Sequence, residues 1–335
     1  MVLLDYISFY ILQMLSSTEP QNQSITTFII LGFPNTRKVE IALFFVFLTM
    51  YLLTVTGNII IIITVNTDSH LQTPMYFFLG NLSLLDVGYT SSTVPKLLSI
   101  LLMNVHIISL AGCLLQSYFF FFFGSAECFL LAMMAYDRYI AICYPLRYPI
   151  IMNKRICVIF VIVCWISGSL APLIAAIMVI NLPFCGPNII NHFFCDIPPL
   201  LKMACIDTSL IQLITFLFSA MVILSTFLCT IISYIYIAIT ILKIPSSHGR
   251  HKAFSTCASH LTVVSLYYGT VIFMYVSPTT RSSFDLNKVI AVIYSVVTPM
   301  LNPMIYTLRN QDMKTALKRI MFIMLLNKKE FELSH

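Results

Sequence analysis

The chain reads as an all-α membrane protein: a bundle of seven membrane-spanning helices followed by a short amphipathic eighth. Three observations lead there. Charged residues make up only 10% of the 335 positions against 59% hydrophobic ones, and the mean hydropathy is +0.91. A soluble domain carries about a quarter charged residues, so a chain this poor in charge cannot cover a globule with solvated side chains. Seven apolar stretches are each long enough to cross about 30 Å of hydrocarbon. The 19 lysines and arginines, finally, divide unevenly between alternate connections.

The stretches run over 41–64, 75–97, 111–136, 157–180, 209–242, 253–276 and 289–308. All are expected to be helices, because unpaired backbone cannot face lipid and no alternating barrel pattern is present. The fifth is free of charge from Ser209 to Leu242, longer than a bilayer requires, and is expected to project past the membrane. Residues 1–40 form an N-terminal segment, 41–308 the membrane domain and 309–335 a tail. An odd number of spans puts the termini on opposite sides. With the N-terminus outside, the inner segments hold 13 Lys and Arg and the outer segments 6. The positive-inside bias therefore favours an extracellular N-terminus and a cytoplasmic C-terminus. The sequon Asn22-Gln23-Ser24 agrees, while Asn81-Leu82-Ser83 lies within the second span, out of reach of glycosylation.

The remaining features fit that frame. Tyr6 to Leu15 is apolar but no Lys or Arg precedes it, so residues 1–17 read as an extension rather than a cleaved signal peptide. Pro145, Pro172, Pro278, Pro299 and Pro303 punctuate helices or their ends. The net charge of +6 falls in short clusters without interleaved aromatics, which excludes nucleic acid as a partner. Six cysteines lie in or beside apolar runs, where a small buried thiol is the plain reading. Cys113, Cys185, Cys195 and Cys205 lie at a helix start or in the loop Asn181–Thr208, and four cysteines allow three pairings.

Charge inside a span costs about 2.5–3.5 kcal/mol per residue on insertion scales, so each instance needs a reason. Asp86 lies in the middle of helix two, and Glu127 lies in helix three, eleven residues before Arg138. Two carboxylates in mid-membrane read as a cation site, for instance for sodium, or as a pair sharing a proton. Asp137-Arg138-Tyr139 sits at the inner end of helix three, where a solvated helix end is the plain alternative.

Several motifs recur one per span. Asn58 follows Gly57 in helix one. Leu82-Ser83-Leu84-Leu85-Asp86 lies in helix two, the only tryptophan, Trp165, in helix four, and Asn302-Pro303-Met304-Ile305-Tyr306 in helix seven. In that order the set resembles the rhodopsin-like, G-protein-coupled receptors over nearly the whole chain. Four further segments narrow the match: Pro74-Met75-Tyr76-Phe77-Phe78-Leu79, Met134 to Cys143, Lys252 to His260, and Pro299-Met300-Leu301-Asn302-Pro303. With His192-Phe193-Phe194-Cys195-Asp196 in the long loop, they look like olfactory receptors of the larger, land-vertebrate class. Residues 1–17 are a departure, since chains of that family usually begin close to the sequon.

The resemblance implies a plasma-membrane odorant receptor with no cofactor and no catalysis. A small volatile ligand would shift a two-state equilibrium, and a stimulatory, olfactory-type heterotrimeric G protein would raise cAMP. Asp137, Arg138, Tyr139, Tyr234, His260, Asn302, Pro303 and Tyr306 would form the switch. Residues 310–326 would lie along the inner leaflet, with Lys314, Lys318 and Arg319 toward the headgroups. It also implies the disulfides Cys113–Cys195 and Cys185–Cys205. An opsin-like Schiff-base lysine is replaced by Val296, and the aspartate of amine receptors by Phe120, 18 residues before Arg138. No acid or base lies between Gln116 and Ala126. The pocket is therefore expected to take an uncharged, mostly apolar ligand. Aligned on the motifs, its walls would be Phe120, Phe121, Gly124 and Ser125 of helix three, Phe218 and Val222 of helix five, and Tyr268, Val271, Ile272 and Tyr275 of helix six. For any one of these, ordinary helix packing is the alternative, and Phe119, Phe122 and Phe123 cannot all face one pocket at 100° per residue. A non-olfactory chemosensory receptor of the same fold is the nearest rival. A transporter or channel would line a continuous path with acids. A membrane enzyme would need a motif such as Gly-x-Ser-x-Gly, which is missing.

Overall fold

The computed structural model describes residues 25–33, 35–185, 187–276 and 284–319. Asn22, residues 1–17 and the end of the tail lie outside the described residues. Seven long helices run through the described chain: α1 (Arg37–Thr67), α2 (Pro74–Met103), α3 (Leu110–Cys143), α4 (Lys154–Leu170, resumed by Leu173–Ile180), α5 (Ser209–Leu242), α6 (Ser247–Tyr275) and α7 (Phe284–Val292 and Thr298–Arg309, joined by a π turn over Ile293–Val297). A further helix, α8, covers 311–319. Six of the seven are long and apolar enough to cross a membrane by length and composition. The exception is α2, which is long enough at 30 residues but carries Asp86, Lys96 and a run of hydroxyls from Thr90 to Thr93.

Local chemistry sets the ends. Ser109, Asn153 and Ser246 cap α3, α4 and α6, each accepting from the backbone N–H three residues on at 3.0–3.1 Å. Pro74 opens α2, where a missing N–H costs nothing. Asn104 closes it in the left-handed region at φ 57°, a conformation its short polar side chain tolerates. α2 thus runs six residues past the expected boundary at 97.

A three-stranded sheet caps one end, a feature absent from the all-α expectation. Thr27–Ile30 (β1) pairs antiparallel with Ile107–Ser109 (β2) and parallel with Ile189–Ile190 (β3). The strands are two to four residues long and come from three distant parts of the chain, so periodicity does not reveal them. Arg37 donates to the Leu101 carbonyl at 2.8 Å, and Lys96 to those of Val105 and Ile107 at 3.0 and 2.6 Å. Both cations thus satisfy orphan carbonyls at the sheet end.

The bundle closes around α3, whose most apolar stretch is 56% buried against 22% for that of α1. Leu213, Phe216, Leu217, Met221, Leu224 and Leu228 of α5 stand exposed in a band, as lipid-facing side chains must. A Cβ on Gly168 would lie 2.6 Å from the Ala126 Cβ and 2.7 Å from its backbone nitrogen, so α3 and α4 meet backbone to backbone. In α7, Pro299 and Pro303 have no N–H to give to the carbonyls of Ser295 and Pro299. Neighbouring helices supply the donors: the Thr90 hydroxyl reaches the Ser295 carbonyl at 3.4 Å and the Asn58 amide the Pro299 carbonyl at 3.2 Å. This is the physical reason that an asparagine stands after Gly57.

Candidate ligand cavity and coupling end

Below the sheet, the bundle encloses a cavity of about 850 Å³, within the range of small-molecule sites. Phe120, Phe121, Gly124 and Ser125 of α3, Phe218 and Val222 of α5, and Val271 and Tyr275 of α6 all line it. Tyr268 and Ile272 do not. The α6 side chains at the wall are Tyr267, Val271, Met274 and Tyr275, spaced as one helical face. One position further on, Tyr268 and Ile272 are turned away by 100°. Tyr268 instead donates to the Cys128 carbonyl at 3.1 Å and packs on Phe227, with ring centroids 5.1 Å apart.

Aromatic contacts shape the walls. Phe120 sits 4.8 Å from Tyr89 and 4.3 Å from Phe194, centroid to centroid, and Phe121 sits 5.7 Å from Tyr275. Phe122 and Phe123 face Trp165 of α4, and Phe119 is exposed. The Tyr267 hydroxyl donates to the Gly124 carbonyl at 2.7 Å, and those of Tyr275 and Tyr294 lie 2.8 Å apart.

The lid is the long loop. Disulfides join Cys113 to Cys195 and Cys185 to Cys205, with Cα separations of 5.4 and 5.3 Å. Gln116 reinforces the first: its side chain accepts from the Cys195 N–H and donates to the Ser92 carbonyl, both at 3.0 Å. Lys288 of α7 is 3% exposed and donates to the Gly32 carbonyl at 3.0 Å and to Asn191 at 2.8 Å, tying loop to N-terminal strand. Two loop residues outside the expected walls, His192 and Asp196, also line the cavity. Among the described residues neither ring nitrogen of buried His192 has a hydrogen-bond partner. Burial, aided by the Lys288 ammonium, pushes its imidazole down to about 3. Burial likewise raises the Asp196 carboxyl to about 7, against the pull of the Ile197 N–H at 2.9 Å. Their signal in the sequence was only their place beside Cys195.

Deeper in the bundle, Asp86 accepts from the Asn302 amide at 3.1 and 3.0 Å. Glu127 is fully buried, and among the described residues neither of its carboxyl oxygens has a hydrogen-bond partner. The side-chain oxygens of Asn58 and Asn302 are orphaned too. Such a donor set, all oxygen, fits a hard cation, and equally a proton shared between the carboxylates. No group of three or more His, Cys, Asp or Glu side chains able to hold a metal occurs among the described residues.

At the far end, Arg138 is paired with its neighbour Asp137, whose side chain is fully buried. Asp137 also accepts from the Tyr148 hydroxyl at 2.8 Å. Tyr234 and His260 share a hydrogen bond at 2.7 Å, and the buried Tyr306 hydroxyl has no partner among the described residues. Tyr139 lies beside Tyr144 and Tyr236, with ring centroids 5.7 Å away from each. Pro303 packs where a Cβ on Gly57 would lie 3.2 Å from it. Arg319 departs from the expected headgroup orientation. Its guanidinium reaches Asp68 at 2.9 Å and His70 at 3.1 Å, because the turn after α1 offers a nearly buried carboxylate there. The His70 backbone N–H, with Arg319 beside it, holds the Asp68 carboxyl below its usual range.

Seven long helices, six of them apolar enough to cross a membrane, surround a capped cavity with a buried polar lock at the other end and define a receptor bundle of the rhodopsin-like kind. The model of the family described as "Olfactory receptor" matches residues 47–324. Olfactory receptor 6N1 of Homo sapiens is 50% identical over 295 residues, 88% of this chain and 95% of that one. Olfactory receptor 287 of Rattus norvegicus is 52% identical over 292 residues, 87% and 94% of the two chains. The human olfactory receptor 11H6 is 48% identical over 310 residues, 92% and 94%. The chain belongs to the olfactory receptor family. It is an odorant receptor of the multi-pass plasma-membrane type and not an enzyme, and its family couples to G proteins.

Proposed function

We propose that this receptor binds a small, uncharged, mostly apolar odorant in the cavity between α3, α5 and α6, and couples to a stimulatory, olfactory-type G protein to raise cAMP. The cavity carries the reading: about 850 Å³ walled by Phe120, Phe121, Phe218, Val222 and Val271, with no charged side chain from α3. Residues 41–308 act as the receptor domain, with residues 1–40 extracellular and 309–335 cytoplasmic. The charge count and the sequon at Asn22 support this orientation.

Arg138 engages the G protein once its pairing with Asp137 is released, and Tyr139, Tyr234, His260, Asn302, Pro303 and Tyr306 take part in that rearrangement. Asp86 and Glu127 form one unit that holds sodium or shares a proton and favours the closed state. A double-mutant cycle on basal activity tests this, and strictly additive effects would separate the two residues. The deciding experiment is a screen of volatile compounds against cAMP in cells co-expressing the olfactory stimulatory G protein. A response from wild type that vanishes in Arg138→Ala, at equal surface expression, is the expected result. Unchanged signalling by that variant would overturn the reading.

A further inference from the structure

We infer that Asp196 selects ligands by their polar end, so that the receptor prefers an alcohol to the matching ketone or ether. The inference rests on the cavity being the ligand site. Asp196 belongs to the loop, is 4% exposed and is one of the residues that line the cavity. Among the described residues one hydrogen bond reaches its carboxyl group, from the neighbouring Ile197 N–H at 2.9 Å. A carboxylate has room for about four hydrogen bonds, so most of its accepting capacity remains unused. Three tyrosine hydroxyls nearby are engaged elsewhere. Tyr275 and Tyr294 spend their hydroxyls on each other at 2.8 Å, and Tyr267 donates to the Gly124 carbonyl. Burial raises this carboxyl to about 7.

What the Asp196 carboxylate lacks is a donor. A ligand hydroxyl supplies one to the carboxylate, whereas a ketone or ether only accepts, which the protonated acid alone can meet, so the preference is read above pH 7, where the carboxylate prevails. The loop is anchored by the Cys113–Cys195 bond and by Gln116, so Asp196 is tied to the start of α3, whose Gly124 and Ser125 line the same cavity. Chain length and head group are then read together: the apolar tail fills the aromatic floor while the hydroxyl meets the loop.

The test takes the scaffold that activates wild type in the screen and compares its alcohol, ketone and methyl ether. Wild type should favour the alcohol. In Asp196→Asn the amide N–H now donates, and the alcohol-to-ketone potency ratio should fall by about tenfold or more, the scale of one hydrogen bond to a charged group. If Asp196→Asn fails to reach the surface, Asp196→Ser, which keeps an oxygen for the Ile197 N–H, serves instead. An unchanged ratio in the variant, or a wild type that ranks the ketone first, overturns the inference while leaving the cavity intact. Agonism that ignores Gly124→Leu breaks the cavity reading and the inference with it.

Discussion

At the sheet end, α3 meets its surroundings through a disulfide, aromatic rings and a cavity of about 850 Å³. At the opposite end the same helix closes on itself and its neighbours through the Asp137–Arg138 pair, Tyr148 and the Tyr234–His260 contact. The first region leaves room for something else to complete it. The second is largely satisfied from within, and on the proposed mechanism its Asp137–Arg138 pair opens before a partner enters. A ligand that stabilises the filled cavity can therefore act on the lock only through rigid helices between them. The backbone contact of α3 with α4 makes such a strut.

The largest effect is expected where that strut is tightest. Gly168→Val would place a branched side chain against the Ala126 backbone, which cannot turn aside as a side chain could. Surface expression should be lost. Gly269→Ala is the control, because a Cβ there meets nothing within 4 Å. Normal trafficking of Gly168→Val would show that α3 and α4 tolerate separation.

Next comes the lock. Asp137→Asn removes the buried charge that faces Arg138 while keeping a group for the Tyr148 hydroxyl. Breaking a buried pair from one side costs about 3–5 kcal/mol. If the pair exists only in the closed state, basal cAMP at equal surface expression should rise by about tenfold or more. No rise would mean that the lock lies elsewhere.

The lid offers a smaller, signed test. Asp196 titrates near 7 in the fold against about 3.9 unfolded. Between those values the folded state holds a proton that the unfolded chain has lost, so acidification stabilises the fold. His192 titrates near 3 against about 6.5 unfolded. Below 6.5 the unfolded chain takes up a proton that the folded state refuses, so acidification destabilises it. From about pH 6.5 to 4 the two slopes oppose each other at about 1.4 kcal/mol per pH unit each, and stability contributed by the loop should be flat. Thermal melts of purified receptor should fall with acid in Asp196→Asn and rise in His192→Phe. Parallel slopes in both variants would contradict the assignment.

These three regions differ in how far the sequence announces them. Spans were readable because lipid demands long apolar runs, and the carboxylates at Asp86 and Glu127 stood out because burial in hydrocarbon is costly. The second span, read as an apolar stretch over 75–97, proves less apolar than the other six, with Asp86, Lys96 and the hydroxyls from Thr90 to Thr93 in it. The sheet was not, since Thr27–Ile30 finds partners 80 and 160 residues away along the chain. The π turn was hidden too, because it depends on donors in α1 and α2 that complete α7. On α6 the aligned motif chose Tyr268 where the wall carries Tyr267, a single residue that turns the side chain by 100°. His192 and Asp196 were visible as letters but not as lining, because a loop's path follows from its disulfides.

The smallest expected effect sharpens the cavity itself. Gly124 lies on its α3 wall, and a Cβ there would stand 3.5 Å from the Tyr267 and Tyr89 hydroxyls, which is ordinary contact. Gly124→Leu should therefore fold, and its remaining atoms must extend into the empty space. In an apolar pocket one methylene changes binding by about 1–3 kcal/mol, so a chain-length series should show a sharp optimum that moves to shorter ligands in this variant. Ser125 lines the same wall. Ser125→Ala removes one hydroxyl without changing shape, and ligands with a polar group at that depth should weaken by about 0.5–1.5 kcal/mol while the matching hydrocarbons are spared. Dose–response curves for the same series on wild type and both variants give all of these quantities. If Gly124→Leu scaled every ligand by one factor, length would be read somewhere other than at this wall.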